Sequence, residues 1–216
     1  MIKDGVLVFV CLVVGFVLTI GVYLLIYSRS KPGLQIPSLQ TQFSLEKAPK
    51  NSVLGMITSY SGNVLWQSRI STAPPLTIFS SQKIQQGEGI MTGGNGTFII
   101  QFDSILTISG TTNTAVNIIQ TLPANFVFQQ KEGMITYKKI DTTTPVSVRA
   151  FDLLITMVTG TCSLFADKDK SQVRVSVNSG SIDSAFTDSE NTTTMLHVGE
   201  GHVLIFDNNT KKVTTI

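Results

Sequence analysis

His197 and His202 flank the turn-forming phrase Gly199-Glu200-Gly201, an imidazole pair that a hairpin could close around a metal ion. Five positions apart on extended chain they face opposite sides unless the turn folds them together. No cysteine or carboxylate stands at metal-ligand spacing beside them, so two half-exposed strand histidines are expected. Cys162 follows Gly160-Thr161; without an adjacent base it reads as a buried apolar thiol rather than a nucleophile. Asp167-Lys168-Asp169-Lys170 opens like a calcium loop but lacks the later ligands, and a solvated hairpin tip accounts for it. Trp66, within Val64-Leu65-Trp66, is expected to pack on a core rather than serve as a sugar platform. Asn95-Gly96-Thr97, Asn191-Thr192-Thr193 and Asn208-Asn209-Thr210 fit the glycosylation pattern. A glycan hydrolase needs two carboxyl groups flanking one bond, and Asp103, Glu132, Asp152 and Glu200 lie scattered among turn signals. The expectation is no enzyme: no catalytic residues, no metal and no cofactor.

The elements that would position these side chains are strands. Thr97–Phe102 alternates, with Phe98, Ile100 and Phe102 on one face. Val173–Val177 places three valines inward and Arg174 and Ser176 outward, and Val203–Phe206 and Val146–Val148 keep the same period of two. Turn signals separate them at Ser61-Gly62-Asn63, Gly93–Gly96, Asn178-Ser179-Gly180 and Asp207-Asn208-Asn209. Gly180 is expected to let Val175–Val177 pair back with Ile182 as a hairpin. The pattern predicts a soluble all-β domain of many short strands over residues 53–216, one domain by size. A sandwich, a prism of three sheets and a short solenoid all fit.

Ahead of this domain, Gly5–Tyr27 is an uncharged apolar run. As a helix it reaches about 35 Å, enough to cross a hydrocarbon core of about 30 Å. It is longer than a signal-peptide core and lacks a small-residue cleavage site, so one uncleaved N-terminal transmembrane α-helix, a signal anchor in the lipid bilayer, is predicted. Cys11, Gly15 and Thr19 recur every four residues and form a small-residue face for helix–helix contact, although glycine is also simply common in membrane helices. Residues 1–4 make a short tail, and residues 28–52, with Pro32, Gly33, Pro37 and Pro49, a tether. The charges beside the run lean weakly toward a cytoplasmic domain, but long domains cross largely regardless of charge. The Ser-, Thr- and Asn-rich composition favours an extracytoplasmic one. The formal net charge is +2, and no basic stripe or aromatic–basic interleaving appears, which argues against a nucleic-acid partner.

Several phrases recur in an order that resembles the FecR-like domain, named for the bacterial ferric-citrate signalling protein. They are Gly87–Gly93 with Glu88 in the acidic place, Asp103-Ser104, Gly133 in Glu132-Gly133-Met134, Gly160-Thr161, Val175–Ile182 around Gly180, and Gly199-Glu200. The resemblance spans roughly Val53 to Phe206. Two positions depart from the family pattern: no glycine stands between Asp103 and Ser104, and Thr159 replaces an arginine before Gly160. In physical terms these positions are turn chemistry. Glycine supplies positive φ, and the carboxylates of Glu88 and Glu200 can accept hydrogen bonds from turn amides.

The resemblance implies a membrane-anchored binding, scaffolding or signalling module at the cell envelope with a protein partner. Only Met1–Asp4 precede the apolar run, so a segment that grips a sigma factor, as FecR carries, is not expected. An envelope glycan-processing enzyme and a protein that self-assembles through exposed sheet edges, as a homo-oligomer or surface array, are the competing readings.

Overall fold

The computed structural model describes residues 48–70 and 72–216. The apolar run, its Cys11–Gly15–Thr19 face and most of the tether lie outside the described residues. Among the described residues no helix is long and apolar enough to cross a membrane, and the ordered elements are all strands. They are β1 (Gly55–Ser61), β2 (Val64–Gln67), β3 (Leu76–Thr77), β4 (Lys83–Ile84) and β5 (Gly89–Thr92). These are followed by β6 (Thr97–Phe102), β7 (Leu106–Gly110), β8 (Ala115–Leu122), β9 (Asn125–Lys139) and β10 (Val146–Ala150). The last are β11 (Leu153–Asp167), β12 (Gln172–Thr187), β13 (Thr193–Gly199), β14 (Val203–Asp207) and β15 (Lys212–Thr215).

The strands form one hydrogen-bonded network that folds into two layers. One layer runs β3–β2–β5–β8, then the first half of β9, β10, the first half of β11, the second half of β12, and β13. The other runs β4–β1–β6–β7, then the second halves of β9 and β11, the first half of β12, β14 and β15. Three long strands therefore belong to both layers. Alternation along the chain fills the space between them: Phe98, Ile100 and Phe102 are buried, as are Val173, Val175 and Val177. Phe102 of the second layer meets Phe126 and Phe128 of the first at ring-centroid distances of 5.6 and 5.7 Å. At the other end Phe186 meets Phe206 at 5.4 Å. The first two contacts are edge-on and the third is tilted; such ring pairs add to the area they bury, and the layers share one continuous core. Of the three architectures expected from the sequence, the two-layered sandwich is the one observed.

One expectation is corrected. Asn178-Ser179-Gly180 is no hairpin turn: β12 continues through it from Gln172 to Thr187. Val175 and Val177 pair with Leu164 and Cys162, whereas Ile182 pairs with Met157 and Val198. Gly180 at φ 75 bends the strand from one layer into the other without reversing it. Asn-Ser-Gly reads the same for a bend and a reversal, because both need positive φ; only the long-range partners tell them apart.

Candidate functional site

The glycine motifs gather in two rows of corners where the chain passes between layers. In the first row, Gly62, at φ 66, lies where an added Cβ would stand 2.0 Å from the Asn95 carbonyl oxygen. The Gly93 amide donates to the Asn63 carbonyl at 2.9 Å, and the Gly93 carbonyl accepts the Asn113 amide at 3.1 Å. Gly133, at φ 81, follows: a Cβ there would sit 2.3 Å from the Asn113 carbonyl oxygen. In the second row Gly160 and Gly180 stand directly opposite each other, at φ 84 and 75. A Cβ on Gly160 would lie 2.1 Å from the Ser179 carbonyl oxygen, and one on Gly180 2.5 Å from that of Thr159. The Thr161 amide donates to Ser179 Oγ at 3.1 Å, and the Gly180 amide to Glu200 Oε2 at 3.4 Å. Because Gly133 pairs with Ala166 and Lys139 with Gly160, the two rows sit at opposite ends of the second layer, about 20 Å apart at the strand rise.

Behind the first row lies a buried polar cluster that the sequence does not announce. Gln130, 1% exposed, donates through Nε2 to the Gly133 and Leu164 carbonyls at 2.7 and 2.9 Å. Its Oε1 accepts the Tyr137 hydroxyl at 3.1 Å. Gln130 thereby ties the bend of β9 at Gly133 to β11 through two buried hydrogen bonds, and its own polar atoms are satisfied. Burial, reinforced by the Cys162 thiol, holds the Tyr137 hydroxyl well above its ordinary range.

The remaining motif residues hold local turns. Glu88 is 5% exposed; its carboxylate accepts the Gln85 amide at 2.8 Å and Gln85 Nε2 at 3.2 Å. Gly87, at φ 90, gives its amide to the Ile118 carbonyl at 2.6 Å. Gly199 has open space around its Cα. At the position that departs from the family pattern, Asp103 itself takes φ 40, a left-handed conformation that Asp tolerates better than most residues.

The residues that could do chemistry are dispersed. His197 Nδ1 lies 2.7 Å from Asp183 Oδ1 across the β12–β13 pair, whereas His202 Nδ1 lies 3.1 Å from the carbonyl oxygen of Glu200, two residues earlier. Among the described residues no group of three His, Cys, Asp or Glu is placed to hold a metal ion. Cys162 is buried, and desolvation pushes its thiol up to about 12. The Asp167 carboxylate accepts the Lys170 amide at 3.1 Å and pairs with the Lys170 ammonium at 3.5 Å, so it serves its own turn. Trp66 packs half-buried against the core.

One groove, of about 620 Å³, is lined by Arg149, Asp152, Leu154, Thr187, Asp188, Asn191 and Lys211. Its two carboxylates are already engaged. Asp152 pairs with Lys211 and, at 3.8 Å, with Arg149. Asp188 Oδ1 accepts the Glu190 and Thr192 amides, each at 2.9 Å. An acid and a base working across one bond need carboxyl groups free to trade protons. Here one is matched by two cations and the other by its own turn.

Neither a family model nor a curated protein matches the chain. The fold is similar to two crystal structures of a candidate anti-sigma factor from Parabacteroides distasonis ATCC 8503. The TM-score is 0.52 for each, with 12% and 11% sequence identity. The likeness covers 59% of this chain, and the chain spans 58% of that protein's length. At this identity the likeness is one of fold, over the covered part of the chain.

Proposed function

We propose that this chain is a membrane-tethered, FecR-like module that binds a protein partner at the cell envelope and catalyses no reaction. The observation that carries the reading is the fold likeness to a candidate anti-sigma factor, joined to the ordered set of glycine motifs that form the corners. The apolar run Gly5–Tyr27 supplies the anchor, and the β domain stands outside the cytoplasm on the tether. The corners give it the stiffness a relay or scaffold needs, because three strands that belong to both layers cannot slide in one without moving in the other. Carboxylates at Glu88, Glu200, Asp152 and Asp188 act as acceptors that hold turns and loops together.

The test combines a turnover assay with crosslinking. The full chain in detergent, incubated with envelope glycans, is expected to show no turnover. A photocrosslinker placed at exposed positions of the β domain in living cells is expected to trap one discrete protein species. Turnover that a single substitution at Asp152 or Asp188 abolishes would overturn the proposal in favour of a glycan-processing enzyme.

A further inference from the structure

One margin of the sandwich is built from its two shortest strands. Among the described residues β3 ends the first layer, pairing with β2 alone, and β4 ends the second, pairing with β1 alone. The loop 78–82 joins them and so crosses from one layer to the other along that margin. It is pinned at both ends: the Ile78 amide donates to the Val64 carbonyl and the Ile57 amide to the Gln82 carbonyl, each at 2.9 Å. Ile78 is buried in the core and its neighbour Phe79 points out of it. Phe79 is 84% exposed, more than any other large hydrophobic residue among those described.

Further exposed apolar side chains lie along the same margin. Leu76 in β3 is 56% exposed, and Leu54 and Met56, at the entry to β1 beside β4, are exposed as well. The chain enters the domain here, since Pro49–Leu54 lead directly into β1. The charges carry one sign. Between residues 48 and 87 the sequence contains Lys50, Arg69 and Lys83 and no Asp or Glu, and Lys50 and Lys83 are exposed. Asp103 is the single acid on the groove that Leu54, Met56 and Lys83 line, so the margin keeps a net positive charge.

We propose that this margin is a bilayer-contact face, in which Phe79 and Leu76 enter the apolar boundary of an anionic phospholipid membrane while Lys50 and Lys83 meet its phosphates. Surface binding to lipid draws on buried apolar area together with attraction to anionic headgroups, and the margin presents both. Lysine stems let an ammonium stay at headgroup level beside an apolar group that goes deeper. A stable protein partner would need a packed patch of roughly 800 Å² on this side. Phe79, followed by exposed Ser80 and Ser81, is instead a projection without walls, which a fluid bilayer accepts with no complementary shape. The inference rests on the membrane anchor proposed above. A contact of a few side chains is weak alone, and the local concentration that a tether imposes sustains it. It adds an orientation to that reading: the β3–β4 margin faces the membrane, and the margin of β13 and β15 is turned away.

The test reads the anchor and the contact face separately. The full chain, with Cys11→Ser and the buried Cys162 left in place, is reconstituted into vesicles of phosphatidylcholine and phosphatidylglycerol. Flotation of the vesicles reports the anchor. A polarity-sensitive fluorophore on Ser80→Cys, next to an intact Phe79, reports the face through quenching by spin-labelled lipid chains. The Ser80 probe is expected to be quenched and blue-shifted, and the same probe on Thr214→Cys, in exposed β15, is not. Phe79→Asp, at a position too exposed to disturb the core, should remove the quenching while the chain still floats. Lys50→Glu with Lys83→Glu, or vesicles of phosphatidylcholine alone, should weaken it. A floating chain whose Ser80 probe is quenched no more than Thr214, or is quenched equally after Phe79→Asp, would overturn the contact face and leave the anchor standing. A chain that does not float would overturn both. A photocrosslinker at Leu76 that traps a discrete protein in living cells, with the Ser80 probe unquenched in vesicles, would assign the margin to a protein and overturn the lipid contact.

Discussion

Gly160→Ala, set beside Gly201→Ala and Gly199→Ala, separates the two demands that the corners place on glycine. Gly199 has neither positive φ nor any atom within 4 Å of an added Cβ. Alanine there should be neutral or stabilise by up to about 1 kcal/mol through the unfolded chain. Gly201 takes φ 80 with open space around it, so alanine meets only the backbone term. That term is about 1–2 kcal/mol, partly offset by the unfolded-state gain, for a net loss of about 1 kcal/mol. Gly160 combines φ 84 with a Cβ position 2.1 Å from the Ser179 carbonyl oxygen. Backbone cannot swing aside as a side chain can, so β11 and β12 must part. Overpacking of this kind adds about 1–3 kcal/mol, for a total loss of about 2–4 kcal/mol. At about 2–4 °C per kcal/mol for a domain of this size, the melting temperature should fall by roughly 5–15 °C. Trp66 is the only tryptophan and packs against the core, so its fluorescence during urea unfolding of the full chain reports on the β domain. Equal midpoints for the three variants, or a Gly201→Ala as damaging as Gly160→Ala, would refute the corner argument.

Further outcomes follow from the buried groups. Tyr137→Phe should cost about 1–3 kcal/mol, because Gln130 Oε1 loses its 3.1 Å donor inside the core; urea midpoints read this directly. In a Cys11→Ser background Cys162 should react with a thiol reagent only as fast as the domain opens, since burial holds the thiol at about 12 and the thiolate is the reactive form. A stoichiometric reaction within seconds under native conditions would contradict its placement. Asp141 gives an acid dependence. Partial burial would raise its carboxyl, but hydrogen bonds from Thr144 and Thr143 and the charge of Lys139 outweigh it and hold the group below the ordinary range. The unfolded chain then takes up the proton first, so this contribution is present above the unfolded value of about 4 and is lost as pH falls through the native one. The urea midpoint of Asp141→Asn should lie below that of the unmodified chain near neutrality, and the gap should close in acid.

Local patterning made the strands legible. Phe98, Ile100 and Phe102 fall inside, as their alternation requires, and the valines of β12 do likewise. The all-β class follows from these and from the turn residues between them. How the strands close was not legible, because sandwich, prism and solenoid share one local pattern and differ in which distant strands pair. The same ambiguity produced the mistaken hairpin at Gly180. The motif glycines were visible as a set, but not that Gly160 and Gly180 stand face to face, which depends on the β11–β12 register. Gln130 gave no signal at all. The second of two adjacent glutamines, Gln129-Gln130, reads as a surface residue ahead of Lys131-Glu132, and its buried role depends on the bend of β9 three residues later.

The central claim is a β domain carried outside the cytoplasm on a membrane anchor. The measurement that tests it most directly is protease shaving of intact cells that express the full chain with a C-terminal epitope. The account predicts loss of the epitope while cytoplasmic markers remain whole. An epitope that resists protease until the cells are broken would contradict it.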